Sequence, residues 1–406
     1  MIRLFYQKNT WLYLLILISV ILLLADIINK RFYMHDLEVY YRTAARLVQG
    51  QELYRIKAHG HYVFKYSPIS AIYFIPFLLL PFTVAKVGYW LLLTFLVGFI
   101  LNIFYKLTAC TEEVSTLFRQ KNTVLLLTFI AVVTHIHREW HLGQVNLLLL
   151  ALYVSTLHSL IYKKYKIAAF TLAFSLFIKP FGLIFLPYLF LKKKYQTLLY
   201  TTIFVLVLGL LPLLFYPSLA AFKQLYLSWF QELAIELRAK QSLLNAGNHT
   251  IFSVIARYTP LRNLLSGATA ARFYQLSMLG LIGFILLFFI QKGRHLRRSL
   301  VAEGAVLIAL IPLFAFTSIN AFLFSAPCLV FLLYNFPQLP AKGKIALAVA
   351  CILIGGNIRD LMGKRIFDLL ENNSTYTLGT LILLGLMFYL RQKFVRAEVQ
   401  ADEKSL

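Results

Sequence analysis

The residues best suited to chemistry lie in a polar segment that directly follows the first long apolar run. Asp36 and Glu38 come a few positions after this run, and Tyr66-Ser67-Pro68 ends the segment. If the apolar run crosses a membrane, a carboxylate at this position lies at the level of the lipid headgroups. There Asp36 can act as a base on a substrate whose reaction partner is carried by a lipid.

A second group of candidates is cationic. Lys179 interrupts an apolar run just before Pro180, and a lysine inside a membrane is costly enough to suggest a function. The alternative is that its side chain extends along the lipid to reach the interface. Preorganised cations stabilise the negative charge that grows on a leaving phosphate. The candidates for binding such a phosphate are Lys179, Arg138, His137, His141 and Lys65.

The histidines at positions 135, 137 and 141 give only a weak indication of a metal site. Residues at i, i+2 and i+6 do not share one face of a helix, so they do not converge on one ion. Phosphate or acceptor binding is favoured, with plain interfacial polarity as the alternative. Asp36 also has no Asp-x-Asp partner, whereas hard cations prefer several oxygen ligands. We therefore predict no cofactor, and the participation of a divalent ion stays open.

The elements that position these residues are predicted to be membrane helices. The chain has 406 residues, 60% of them hydrophobic, with repeated apolar runs and a mean hydropathy of +0.73. Backbone amides in a bilayer need internal partners, so this composition predicts an all-α, polytopic membrane protein. The run from Trp11 to Ile28 is long enough to span and precedes no cleavage site, which indicates a retained signal anchor. The net charge of +24 comes from Lys and Arg between apolar runs, which indicates membrane topology rather than nucleic-acid binding.

The apolar runs predict about 10–12 transmembrane helices. The candidate spans lie near residues 11–29, 84–105, 123–140, 143–162, 167–178, 180–191, 197–215, 272–291, 300–317, 319–335, 344–358 and 376–393. The segment 167–191 is too short for two full spans, and proline cannot continue a helix. It therefore predicts two half-helices broken at Lys179-Pro180, which a membrane tolerates where they line a cavity.

The short basic loops predict the orientation. With twelve passes, the basic clusters all fall on one side, which is cytoplasmic by the positive-inside bias. These clusters are residues 163–166, 192–194, 292–298, 342–344 and 391–396. The protein is then expected in the cytoplasmic (inner) membrane, with both termini on the cytoplasmic side and the active site facing outside. We expect one transmembrane domain over 1–395, extracytoplasmic loops at 30–67 and 216–271, and a disordered cytoplasmic tail at 396–406.

The first loop is predicted to contain an amphipathic helix over residues 37–48, lying on the membrane and stopped by Gly50. Its apolar positions recur at helical spacing: Leu37, Tyr41, Ala44, Ala45 and Val48. Asp36 comes just before this helix, where an aspartate is a favoured N-cap, so the residues alone favour capping for Asp36. Glu38 points to another face of the helix and is expected to be a solvated charge or a minor helper.

The ordered motifs resemble glycosyltransferase family 87. The similar residues in the first loop are Asp36, Tyr40-Tyr41, Ala44-Ala45, Gly50, Tyr54 and Tyr66-Ser67-Pro68, and further matches are Gly143-Gln144-Val145-Asn146 and Lys179-Pro180. The resemblance covers roughly residues 10–200 well and the C-terminal half loosely. It implies a GT-C-like fold and a membrane enzyme that uses polyprenyl-phosphate-linked mannose.

The resemblance also implies roles for single residues. Asp36 would be the general base of an inverting hexosyl transfer, most simply of mannose, to a lipid or glycan acceptor. Residues proposed to line the substrate are Glu38, Tyr40, Tyr41, Tyr66, Gln144, Asn146, Asn245, His249 and Asn320. For Gln144 and Asn146, capping of the next helix is the alternative. Members of the family commonly carry a histidine in a late Ser-Pro segment. Residues 317–322 have none, so that role is expected to pass to Asn320 or to a histidine elsewhere.

Two further classes of function stay open at this point. A transporter or lipid-glycan flippase also has broken helices, but it predicts two halves of matching hydropathy, which the chain lacks. An O-antigen ligase-like or polymerase-like enzyme favours arginines in a large later loop, where Arg238, Arg257 and Arg262 are available. For the favoured transferase, the partners are the lipid-linked donor and the acceptor, with no nucleic acid.

Overall fold

The computed structural model describes residues 9–56, 63–109, 120–239, 243–263, 272–280, 283, 287 and 297–405. The chain is 82% helical, and the described residues form no strand. This confirms the predicted all-α class. Most of the span predicted at 272–291 and the basic cluster at 292–298 lie outside the described residues.

The helices follow the order of the apolar runs. They are α1 (Thr10–Ile28), α2 (His35–Val48), α3 (Pro68–Ile72), α4 (Phe82–Ala109), α5 (Lys121–Leu142), α6 (Asn146–Ile161), α7 (Tyr165–Ile178), α8 (Phe185–Leu191), α9 (Tyr195–Gly209), α10 (Leu219–Ala239), α11 (Ile251–Tyr258), α12 (residues 272–280), α13 (Arg297–Phe314), α14 (Ala326–Tyr334), α15 (Ala341–Gly355), α16 (Arg359–Asn372) and α17 (Thr375–Ser405). Short 3₁₀ helices lie between several of them, including Pro180–Ile184 and Ile319–Ser325.

Four of the described helical segments are long and apolar enough to cross a membrane. They are α1, α4, α9 with its short extension to Leu214, and the first part of α17 to Val395. Helices α5 and α6 pass the same test together, but the chain direction changes by 119° between them. Several other apolar helices are shorter than a full span, as expected for broken helices. A multi-pass membrane protein is confirmed, and the count of 10–12 spans stays a prediction.

The predicted break in the segment 167–191 is present. Helix α7 ends at Ile178, Lys179 has extended backbone angles of φ −142° and ψ 130°, and the chain continues as a 3₁₀ helix from Pro180. Helix α2 also ends as predicted, because Gly50 adopts φ +65°. A Cβ at Gly50 would lie 3.2 Å from the carbonyl oxygen of Phe215. Glycine therefore serves both the helix stop and a close packing contact.

The chain divides into two compact units. The first unit contains Leu12–Ile100 and His137–Lys240, and the second contains Met1–Trp11, Leu101–Ile136 and Gln241–Leu406. In the first unit, hydroxyl and indole groups join α1 to α4. Ser19 Oγ lies 2.7 Å from Thr94 Oγ1 and accepts a 2.8 Å hydrogen bond from Trp90 Nε1. Such polar contacts hold apolar helices together where the hydrophobic effect is weak.

In the second unit a buried ion pair joins α13 to α17. An Arg391 guanidinium nitrogen lies 2.8 Å from Glu303 Oε1, and both side chains are almost fully buried. Arg391 was expected in a basic loop, but α17 continues past it to Ser405. The prediction of a disordered tail at 396–406 is therefore wrong for the described residues up to 405. Alanine, glutamate and lysine in this stretch favour helix, and they extend a helix that is already nucleated.

Candidate active site

Asp36 lies inside the first turn of α2 and not at its N-cap. The helix begins at His35, and Met34 occupies the cap position in the left-handed region, with φ 50° and ψ 52° and no side-chain hydrogen bond. The capping interpretation of Asp36 is therefore wrong. A carboxylate in the first turn of a helix is still stabilised by the helix dipole.

The side chain of Gln144 holds the Asp36 carboxylate. Gln144 Nε2 donates a 2.5 Å hydrogen bond to Asp36 Oδ2, while Oδ1 accepts no hydrogen bond from the described residues. Burial raises the pKa of Asp36 above its usual 3.8, against the opposing effects of Gln144, Lys179, His35 and Lys65. A carboxylate with a raised pKa and one uncommitted oxygen is suited to accept a proton near neutral pH.

A chain of amides links Asp36 to Lys179. Asn146 Nδ2 donates to Gln144 Oε1 at 3.2 Å, and Lys179 Nζ donates to Asn146 Oδ1 at 2.8 Å. Lys179 reaches this position because the break after α7 turns its side chain away from a regular helix. The Lys179 ammonium also lies over the ring of Tyr66, 5.7 Å from its centre. The structure therefore brings four predicted site residues into one polar group.

Glycine at position 143 allows this arrangement. Gly143 adopts φ +69°, and a Cβ there would lie 2.8 Å from Leu37 Cβ and 3.2 Å from Leu37 N. Only glycine combines this backbone conformation with such a close approach of α2. The motif Gly143-Gln144-Val145-Asn146 therefore has a physical explanation. Its glycine allows the start of α2 to approach closely, and Gln144 then reaches Asp36 on that helix.

The Tyr66-Ser67-Pro68 motif fastens the first loop to the end of α7. Ser67 Oγ donates a 2.7 Å hydrogen bond to the carbonyl oxygen of Phe177, and Ser67 also caps α3. Tyr66 in turn lies against α2, where its hydroxyl is 3.1 Å from that of Tyr40. Tyr54 donates to the Tyr66 carbonyl at 2.8 Å. Tyr40, Tyr54 and Tyr66 thus form a hydrogen-bonded set that joins α2 to the end of the first loop.

Glu139 is a buried residue of this group that the sequence reasoning did not select. Its Oε2 accepts from the backbone N–H of Asn146 at 2.9 Å and of Leu147 at 3.3 Å. Its Oε1 accepts from Asn146 Nδ2 at 2.7 Å. Glu139 thus satisfies the N-terminal amides of α6, so Gln144 and Asn146 are not the caps of that helix. Its separation of seven residues from Asn146 across a sharp turn left no recognisable motif.

The two histidines at the end of α5 face a carboxylate that was also missed. His141 Nδ1 lies 3.0 Å from Asp26 Oδ2, and His137 Nε2 lies 4.0 Å from Asp26 Oδ1. His135 belongs to the second unit, where it contacts the carbonyl oxygen of Ile354. Among the described residues, no group of three or more such side chains is placed to hold a metal ion. Asp26 was detectable as the single acid in an apolar span.

Three predicted site residues of the first unit are engaged outside the polar group. Lys65 Nζ forms a 2.9 Å ion pair with Glu236. Glu38 pairs with Arg42 on the exposed side of α2, in keeping with the solvated charge that was expected. Tyr41 donates a 2.9 Å hydrogen bond to the carbonyl of Leu80. Arg138 is partly exposed and forms no ion pair with the described residues, so it stays available for an anion.

The remaining candidates belong to the second unit. Asn245 is exposed and accepts from the backbone of Gly247, which makes it a turn residue. His249 is buried against Phe322, with ring centres 6.4 Å apart, and its Nδ1 lies 3.0 Å from Ser374 Oγ. Asn320 is fully buried. His249 therefore packs against residues 317–322, the late segment that contains no histidine.

The described geometry is that of a multi-pass helical membrane protein with a carboxylate and an ammonium held by a shared amide network. The family model of glycosyltransferase family 87 matches residues 64–315, more than half of the chain. The chain therefore belongs to glycosyltransferase family 87 and is a membrane glycosyltransferase. The match begins after Asp36 and extends well beyond residue 200, so it differs from the range expected. Comparison with curated proteins and with solved structures gave no match.

Proposed function

We propose that this glycosyltransferase moves a hexose, most simply mannose, from a polyprenyl phosphate to a lipid or glycan acceptor. The proposed reaction takes place at the outer face of the cytoplasmic membrane, with both termini inside. The observation that carries the proposal is the Asp36 carboxylate, which is partly buried at the start of α2 and accepts a hydrogen bond from Gln144 at one of its two oxygens. Membership of the family supplies the reaction class, and the membrane helices favour substrates carried by lipids.

In the proposed step Asp36 Oδ1 takes the proton of the acceptor hydroxyl. The acceptor oxygen attacks the anomeric carbon as the bond between that carbon and the phosphate oxygen breaks. The phosphate leaves with the electron pair and needs no added proton, so one base is sufficient. Direct displacement by one nucleophile inverts the configuration at the anomeric carbon.

The phosphate charge that develops in this step requires a cation. Lys179 supports this role because its ammonium is held by a neutral amide and not by a carboxylate. A cation fixed in a partly buried position stabilises the leaving phosphate more than water does. Arg138 is a second candidate, whereas Lys65, His137 and His141 already face carboxylates.

The test uses membranes from cells that express the protein and a radiolabelled polyprenyl-phosphate hexose. Label should pass to a lipid or glycan, and Asp36→Asn should abolish the transfer because the amide accepts no proton. Glu52→Gln is the matched control, since it removes an exposed carboxylate from the same loop. Full activity of the Asp36→Asn variant at equal abundance would exclude Asp36 as the base.

The donor is examined in the same assay. Mannosyl and glucosyl polyprenyl phosphates are offered separately, and the anomeric configuration of the product is read by NMR.

The family match argues against the transporter and flippase hypothesis. Arg257 is one of the arginines considered for a ligase-like enzyme. Its guanidinium donates to the backbone carbonyls of Asn248 and Asn372, so it connects two segments of the chain.

A further inference from the structure

In the hydrogen bonds that connect Glu139, Asn146, Gln144 and Asp36, each amide has one donor side and one acceptor side. Glu139 determines which side of each amide faces which neighbour. Glu139 is fully buried and, when ionised, can only accept hydrogen bonds. Two of its donors are the backbone N–H groups of Asn146 and Leu147, which cannot turn round. A further donor is the Asn146 side chain, whose NH₂ group must therefore face Glu139.

The orientation of Asn146 then determines that of Gln144. Because the NH₂ group of Asn146 also faces Gln144, the side-chain carbonyl oxygen of Gln144 must accept that hydrogen bond. The Gln144 NH₂ group is left pointing at Asp36. Asp36 thus receives a hydrogen-bond donor, which favours its charged form over its protonated form. The other face of Asn146 offers its carbonyl oxygen to Lys179.

We propose that Glu139 is a positioning residue which, through Asn146 and Gln144, keeps Asp36 a carboxylate and Lys179 an ammonium. Glu139 acts without touching the substrate. The inference rests on the proposed function of Asp36 as the base. It goes further by naming the residue that fixes the protonation state of both ends of the site.

The substitution Glu139→Gln reverses this direction. The single carbonyl oxygen of glutamine is taken by the two backbone N–H groups, so its NH₂ group faces Asn146. Asn146 then turns its carbonyl oxygen toward position 139, and Gln144 follows by turning its own carbonyl oxygen toward Asp36. Asp36 now faces an acceptor, and only its protonated form can make that hydrogen bond.

The measurement is the pH dependence of kcat/KM, whose acid limb reports the base of the free enzyme. The limb in Glu139→Gln should move to higher pH by about one unit, so activity on the limb falls about tenfold. Loss of a negative charge alone would move the limb to lower pH, because it removes a like charge from the site. A purely structural role would lower the rate without moving the limb. Either of these two results overturns the proposal.

Few charged and titratable groups of the described residues surround Asp36, so the direction in which the acid limb moves can be assigned to a cause. They are Lys179 at the α7 break, His35 on its own helix, Lys65 in the first loop, and the tyrosines Tyr40, Tyr66 and Tyr89. Tyr40 and Tyr66 stay neutral in the range of the assay because burial raises the pKa of both phenols. Glu52→Gln, which removes an exposed carboxylate of the first loop, is the matched control and should leave the limb in place.

Two further variants separate the possible failures. Asn146→Ala keeps the backbone caps of α6 but interrupts the relay, so it should also move the limb upward. If Glu139→Gln does not accumulate in membranes, an unchanged limb in Asn146→Ala overturns the proposal. In a Gln144→Leu background, Glu139→Gln should add no upward shift, because the relay is already cut. If wild-type membranes transfer no sugar, or Asp36→Asn stays active, the proposed function fails before this inference is reached.

Discussion

Replacing Gly143 by alanine tests whether the close approach of α2 is required for activity. Two penalties are readable from the structure. The backbone at φ +69° is unfavourable for an alanine by about 1–2 kcal/mol. The added methyl group would lie 2.8 Å from Leu37 Cβ, whereas carbon atoms in contact prefer about 3.5–4.0 Å. The start of α2 must therefore move by about 1 Å, and such overpacking costs about 1–3 kcal/mol.

The displacement falls on Asp36, the carboxylate proposed as the base. Leu37 is the neighbour of Asp36, so a shift of about 1 Å at Leu37 moves Asp36 away from both Gln144 and the acceptor. A misplacement of this size can lower a rate about 100-fold. We expect Gly143→Ala to lower kcat by about two orders of magnitude. Its free energy of unfolding should fall by about 2–5 kcal/mol, the combined penalty of strain and overlap.

The assay is sugar transfer by the purified protein in proteoliposomes, together with thermal unfolding in detergent. Gly88→Ala is the matched control. Gly88 lies in α4 of the same unit, and a Cβ there meets no atom within 4 Å. This control should keep its activity and be as stable as the wild type or slightly more so, because alanine favours helix. If Gly143→Ala keeps the kcat of the wild type, the contact with Leu37 does not position Asp36.

Two more substitutions test the charges of the site. Lys179→Met should lower kcat about 100- to 1000-fold, the usual effect of removing one fixed charge-stabilising donor. Lys179→Arg should keep part of the activity, and the exposed Lys223→Met should keep all of it; equal rates in the two methionine variants would contradict the role of Lys179. Asp36→Asn should also change stability with pH. Because burial raises the pKa of Asp36 in the folded protein, the folded state holds its proton more tightly than the unfolded chain. The free energy of unfolding then falls as pH rises from about 3.8 through the raised pKa. Asp36→Asn, which lacks this titration, should gain stability relative to the wild type across that window and lose the advantage in more acidic solution, as thermal unfolding at a series of pH values will show.

The features predicted correctly from the sequence depend on local chemistry. The break at Lys179-Pro180 follows from the geometry of proline, and the end of α2 follows from a glycine that can adopt a positive φ. The helix over residues 37–48 follows from the spacing of its apolar residues, and the structure begins it two residues earlier. None of these predictions needs knowledge of which segments meet in space.

The features that were missed depend on tertiary contacts. Asp26 and His141 are 115 positions apart, and nothing local indicates that they pair. The capping interpretation of Asp36 was wrong because Met34, two residues earlier, occupies the cap position in the left-handed conformation, which local preferences of methionine do not favour. Glu139 satisfies the first amides of α6 from the far side of a turn whose 119° change of direction no pattern revealed.

The amides between Asp36 and Lys179 explain why this site contains neutral spacers where an ion pair would be the simpler packing solution. Asp36 and Lys179 form no ion pair with each other. If they did, the ammonium would lower the pKa of Asp36 and weaken it as a base, and the carboxylate would neutralise the charge needed by the phosphate. Gln144 and Asn146 give each group a hydrogen bond without a direct ion pair between the two charges. A substrate that brings a hydroxyl to one end and a phosphate to the other completes both interactions at once. Because a charged group gains most from a partner when none is already bound, the separation favours the transition state over the empty site.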